Sequence, residues 1–214
     1  MVYIQLEKTD FEVLRFLIEN LNKEFSIKEI ANRLKRPYVK IHNSIKRLLD
    51  KKIIKEEIKG KSHYCSIDYK NNIDIVCFVN SQRAKEFLQM NNKVKLIVQE
   101  ILEKIKIPDY VLILFGSYVK STHDKHSDLD ISIIISDENK EEVERVIYSI
   151  KRLSALEIHS LEFSYKEFIE MLKSNEMNVG KEIVKNCVIF NGCEQFYNCL
   201  KQIKKFLIFF NNIL

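Results

Sequence analysis

The sequence predicts an α+β chain: two folded parts joined by a helical connector. Three observations carry this. Apolar residues recur at helical spacing three times within residues 9–52, and two β-prone runs then flank Lys59-Gly60-Lys61. Residues 71–106 contain neither Pro nor Gly and keep a helical apolar rhythm. Beyond them, Tyr110–Phe115 and Ile131–Ile135 are β-rich apolar runs, the mark of strands buried on both faces. The domains are therefore residues 1–70, a connector 71–106, and a small mixed sheet with helices over 107–214.

Each element of the first part has a local cause. Thr9–Asn20 sets Phe11, Leu14, Leu17 and Ile18 on one helical face. Ser26-x-x-Glu29 is a capping box that opens a second helix, which carries Ile27, Ile30, Ala31 and Leu34 inward. Pro37 suits the first turn of a third, since its missing N–H has no partner there anyway. That helix runs to about Lys52 and buries Val39 or Ile41, then Ile45, Leu48 and Leu49. Its other face shows Tyr38, Lys40, His42, Asn43, Lys46 and Arg47. Strands Ile53–Ile58 and Ser62–Asp68 follow, turning at Gly60.

Charge separates the two parts. Residues 1–70 hold 16 Lys and Arg against 10 Asp and Glu, a net +6, whereas the whole chain is +5. The basic excess lies in the first third, as expected of a part that meets a polyanion. Three helices and a hairpin resemble a winged helix-turn-helix. The resemblance implies duplex DNA as a partner, with the third helix in the major groove and Lys59, Lys61 and His63 of the wing over phosphates. Lys40 and Lys46 would bind phosphate, and Asn43 and Arg47 would read bases. A docking module with the same fold is the competing reading.

Composition excludes other classes. At 46% hydrophobic and 30% charged, the chain is globular. No apolar run reaches the ~18 residues of a membrane span, and Met1–Gln5 opens no signal peptide. A cytoplasmic protein without membrane contact is expected. The five cysteines form no Cys-x-x-Cys pair and read as small buried thiols.

The chemistry lies between the two buried runs, in GSYVKSTHDKHSDLDISI, residues 116–133. The first strand ends in Gly116-Ser117, and ten residues later Asp128-Leu129-Asp130 opens the second. Residues two apart on a strand share a face, so Asp128 and Asp130 present paired carboxylates. Such a pair repels unless a cation intervenes. The motif is similar to the GS-x10-DxD signature of the DNA polymerase β-like nucleotidyltransferases, over about residues 107–192. The resemblance implies ATP as substrate and two Mg2+ ions held by Asp128, Asp130 and a third acid. It also implies that Gly116, Ser117 and Lys120 cradle the phosphates. Glu157, flanked by Leu156 and Ile158, occupies the position of the third acid, with Glu162 as competitor. The chain departs from the family at Lys120 and Ser121, where Arg-Gly is usual. His123, Asp124 and His126 read as a polar loop.

Minimal nucleotidyltransferases of the MntA antitoxin type adenylylate a HEPN-type ribonuclease partner. The resemblance therefore implies AMP transfer from ATP to such a protein. A transcription regulator that only senses nucleotide, and transfer to a small molecule or RNA, are the alternatives. Residues 194–214 predict a terminal helix whose Phe206–Phe210 run exceeds one face, leaving a homodimer and intramolecular packing both open.

Overall fold

The computed structural model describes residues 5–21, 23–60, 62–124 and 127–203. The chain folds as two compact units, the first ending at Val79 and the second beginning at Asn80.

In the first unit α1 (Lys8–Glu19), α2 (Ile27–Leu34) and α3 (Tyr38–Asp50) precede β2 (Ile54–Lys59) and β3 (Ser62–Ile67). A two-residue strand, β1 (Phe25–Ser26), pairs with β3 and completes a sheet of order β1-β3-β2. The capping box forms as its spacing requires: Ser26 N donates to Glu29 Oε2 at 2.7 Å, and Glu29 N donates to Ser26 Oγ at 3.3 Å. Gly60 takes φ +63° at the hairpin turn, beside Lys61, which lies outside the described residues. Ile41 is fully buried while Val39 is 67% exposed, which settles which of the two faces the core.

One expectation needs correction here. Arg47 does not stand on the outer face of α3 but turns back onto α1. Its Nη2 donates to Asp10 Oδ1 at 2.7 Å and lies 3.0 Å from Glu7 Oε2. Asp10 is fully buried and also accepts from Ser44 Oγ at 2.7 Å. A buried carboxylate needs such partners, and Arg supplies several donors in one fork. Burial alone would push the Asp10 carboxyl up; the bonds from Arg47, Ser44 and the Glu7 N–H outweigh it and hold it low.

A long helix, α4 (Ile73–Met90), contains the division between the units. The second unit continues with α5 (Asn92–Lys104), β4 (Tyr110–Phe115), α6 (Ser117–Lys120), β5 (Leu129–Ile135), a 3-10 turn (Asp137–Asn139) and α7 (Lys140–Leu153). Then come β6 (Ile158–Ser164), α8 (Tyr165–Lys173), α9 (Val179–Lys185), β7 (Cys187–Asn191) and α10 (Cys193–Lys201). The sheet order is β6-β5-β4-β7, with β5 and β6 parallel and the other pairs antiparallel. It is the mixed sheet expected.

Alternation along the strands gives each face its cover. Leu112, Leu114, Leu129, Ile131, Ile133 and Ile135 pack with Val94, Ile97, Val98 and Ile101 of α5 and Val143, Ile147 and Ile150 of α7. So α5 belongs to the core of the sheet unit. On the opposite face α8 and α10 approach the strands, and Phe168 meets Phe196 at 5.9 Å between ring centroids. Of the predicted terminal helix, residues 193–201 appear as α10; Phe206–Phe210 lie outside the described residues. All five cysteines are free, Cys65 and Cys199 among them buried. Among the described residues no helix is long and apolar enough to cross a membrane.

Candidate active site

The site forms where β4 ends and β5 begins, because antiparallel pairing brings these two ends together. Leu114 lies opposite Ile131, so Gly116 comes abreast of the first residues of β5. Gly116 has φ +75° and ψ −149°, a conformation essentially reserved for glycine. A Cβ there would stand 2.8 Å from Asp130 Cγ and closer still to Oδ2. The bare Cα is thus what allows the Asp130 carboxylate its place. Close approach of a phosphate was the reason expected from sequence; the structure adds this one.

Ser117, half-buried, opens the single turn of α6. Thr122 N donates to Ser117 O at 3.0 Å, which folds the chain back after that turn. Ser121, where the family carries Gly, sits at φ +56° and ψ +30° in the left-handed region. A residue with a Cβ does not suit that conformation. Lys120 is exposed, and its Nζ lies 2.9 Å from Glu182 Oε1 on α9. To meet a phosphate it must leave that partner.

Asp128 is exposed just before β5, and the Asp130 side chain keeps 25% of its surface. Both reach solvent. The parallel register continues the site onto β6. Asp130 pairs with His159, and His159 Nδ1 lies 3.1 Å from Asp130 Oδ1. One step back, Leu129 N donates to Glu157 O at 2.8 Å, which sets Glu157 beside Asp128. Glu162 pairs with Ile133. It stands three residues from His159, so it points to the other face of the sheet, among the residues that meet α5 and α7.

His159 was no candidate from sequence. Its signal was the strand alternation with Glu157, but only the β5–β6 register shows that it meets Asp130.

Beside α6 an open cleft of about 730 Å³ is lined by Asn91, Lys93, Tyr118, His123, Asp124 and Leu156, with Asn92 and Val94. Tyr118 and His123 stack within it, 4.1 Å between centroids and 10° from parallel. Its lining does not include Gly116, Asp128 or Asp130.

Residues 93–186 match the family model of the nucleotidyltransferase domain. This stretch is therefore similar to a nucleotidyltransferase domain. The match runs from the start of α5 through α9, taking in Gly116-Ser117, both aspartates and Glu157. Its start at residue 93 agrees with the packing of α5 against the sheet. No curated protein and no solved structure matches the chain.

In the first unit Tyr38, Lys40, His42, Asn43 and Lys46 are exposed on α3, with Tyr38 stacked on His42 at 6.0 Å. The wing is more neutral than its sequence suggests. Lys59 Nζ lies 2.6 Å from Glu24 and 3.6 Å from Glu57, and the Glu24 bond raises its pKa. His63 lies 2.9 Å from Glu56. Phosphates there would compete with these glutamates.

Proposed function

We propose that the protein transfers AMP from ATP, with Mg2+, to a HEPN-type protein acceptor, and that its first unit binds duplex DNA. The observation that carries the transfer reading is the wedge of Asp130 against Gly116 inside a nucleotidyltransferase domain.

The two carboxylates suit Mg2+. That ion is usually held by one or two carboxylates together with substrate phosphates, not by a cage of protein ligands. Asp128 and Asp130 fit this need: both open to solvent, two residues apart, with Glu157 alongside. Among the described residues no three His, Cys, Asp or Glu side chains make a closed metal site, so the phosphates would complete the coordination. When bound, Mg2+ would supply charge neutralisation at the triphosphate.

The residues then have separate tasks. Ser117 and the N–H groups of its turn bind phosphate oxygens, and Lys120 joins them once released from Glu182. An acceptor hydroxyl attacks the α-phosphorus in line. A new P–O bond forms, the bond to the bridging oxygen breaks, and pyrophosphate leaves with that electron pair. Glu157, as the third acid, would hold metal or take the hydroxyl proton. Most of the rate in such chemistry comes from positioning and electrostatics, which a small constellation provides.

The test is incubation of the chain with labelled ATP, Mg2+ and the products of neighbouring genes. Label should pass to one protein with the wild-type chain, and Glu157→Gln should remove transfer while ATP binding survives. If Glu162→Gln does this and Glu157→Gln does not, the third acid is misassigned.

Exposed Lys40, Asn43 and Lys46 on α3, with the +6 charge of residues 1–70, support DNA binding. Affinity should fall log-linearly with salt, with a slope of about 0.9 per phosphate contact. Lys46→Ala should weaken binding to all sequences and lower that slope. No gel shift at low salt, even with the operon's own promoter, would leave the docking reading in place.

A further inference from the structure

His159 lies where neither family signature nor sequence motif points, yet it is the residue on β6 that meets Asp130. The contact is fixed by backbone pairing, since Asp130 and His159 are register partners in the parallel pair. Both side chains stay open: 55% of the His159 side chain and 25% of the Asp130 side chain are exposed. We infer that His159 Nδ1 and Asp130 Oδ1 form one edge of a divalent cation site, so that this position favours Mn2+ over Mg2+. The inference rests on the nucleotidyl-transfer reading and deepens it.

Distance and donor chemistry both support it. Two neighbouring ligands in an octahedron with bonds of ~2.1 Å are about 3 Å apart, and Nδ1 and Oδ1 are separated by 3.1 Å. Imidazole nitrogen suits first-row transition ions, whereas Mg2+ favours oxygen. Backbone pairing brings the two residues together, so the edge is preset and not assembled on binding. Nucleotide phosphates and water would fill further positions. A neutral imidazole that merely donates Nδ1–H to Asp130 gives the same separation. It would position the carboxylate without any preference between the two ions.

Calorimetric titration of the full chain with Mn2+ or Mg2+, at a fixed concentration of a non-hydrolysable ATP analogue, separates the two. His159→Asn keeps an N–H donor but no imidazole, and His159→Ala removes both. Both variants should lose about 10-fold or more in Mn2+ affinity and less than about 3-fold in Mg2+ affinity. The spin-echo spectrum of Mn2+ bound to the wild-type complex should show imidazole nitrogen coupling that His159→Asn lacks. Equal losses for both ions, or no nitrogen coupling in the wild type, would overturn the inference in favour of positioning alone. Asp130→Ala tells this apart from failure of the site. If it abolishes ion binding while the His159 variants behave as wild type, the site stands and the inference falls. If it changes nothing, both fall.

Discussion

Asp130 occupies the space that a side chain on residue 116 would need. A Cβ on Gly116 would stand 2.8 Å from Asp130 Cγ, and the backbone there has φ +75°. Gly116→Ala therefore faces strain of about 1–3 kcal/mol and must displace the carboxylate as well. Misplacing a reacting group by about 1 Å can cost ~100-fold in rate, so transfer should fall by at least that much. Far-ultraviolet dichroism should show the fold retained. An active Gly116→Ala variant would mean that the wedge has no functional role.

Ser121 holds a left-handed backbone, φ +56°, at the family's glycine position. A residue with a Cβ pays about 1–2 kcal/mol for that conformation, and Gly loses part of this gain through its freer unfolded state. Ser121→Gly should therefore stabilise the second unit by up to about 1 kcal/mol, read as a higher thermal midpoint. A lower midpoint would show that the Ser121 side chain contributes something its backbone angles do not reveal.

Arg47 anchors the first unit through Asp10. Removing one partner of a buried pair costs about 3–5 kcal/mol. Because Arg47 is partly exposed, Arg47→Ala should fall at the lower end, about 3 kcal/mol at neutral pH. The pH dependence has a definite sign. The folded Asp10 pKa lies below its ordinary 3.8. Its stabilisation is therefore complete at higher pH and lost as pH falls through that lowered value. The gap between wild type and Arg47→Ala, measured by denaturant unfolding, should narrow as pH drops below 3.8. A gap that widens in acid would contradict this.

Elements driven by local signals were legible in the sequence. Ser26 and Glu29 announce α2 through their spacing, and the apolar runs of β4 and β5 need no partner to be recognised. The Gly116-Ser117 and Asp128-Leu129-Asp130 motifs stood out by their spacing between two apolar runs, which fold as β4 and β5. What escaped depends on contacts far apart in sequence. Arg47 turns inward because Asp10, 37 residues earlier, lies beneath it. His159 meets Asp130 only through the β5–β6 register, and the same register sends Glu162 to the opposite face. A two-residue strand such as β1 has too little pattern to read. By contrast, α8 carries a local signal, the capping box of Ser164 and Glu167.

The central claim is that Asp128 and Asp130 hold a metal–nucleotide complex at the junction of β4 and β5. Calorimetric titration of the full chain with ATP in the presence of Mg2+ measures this directly. The wild type should bind, and Asp128→Ala and Asp130→Ala should each abolish binding or weaken it markedly, with unchanged far-ultraviolet dichroism. Wild-type affinity in both variants would contradict the assignment of the site.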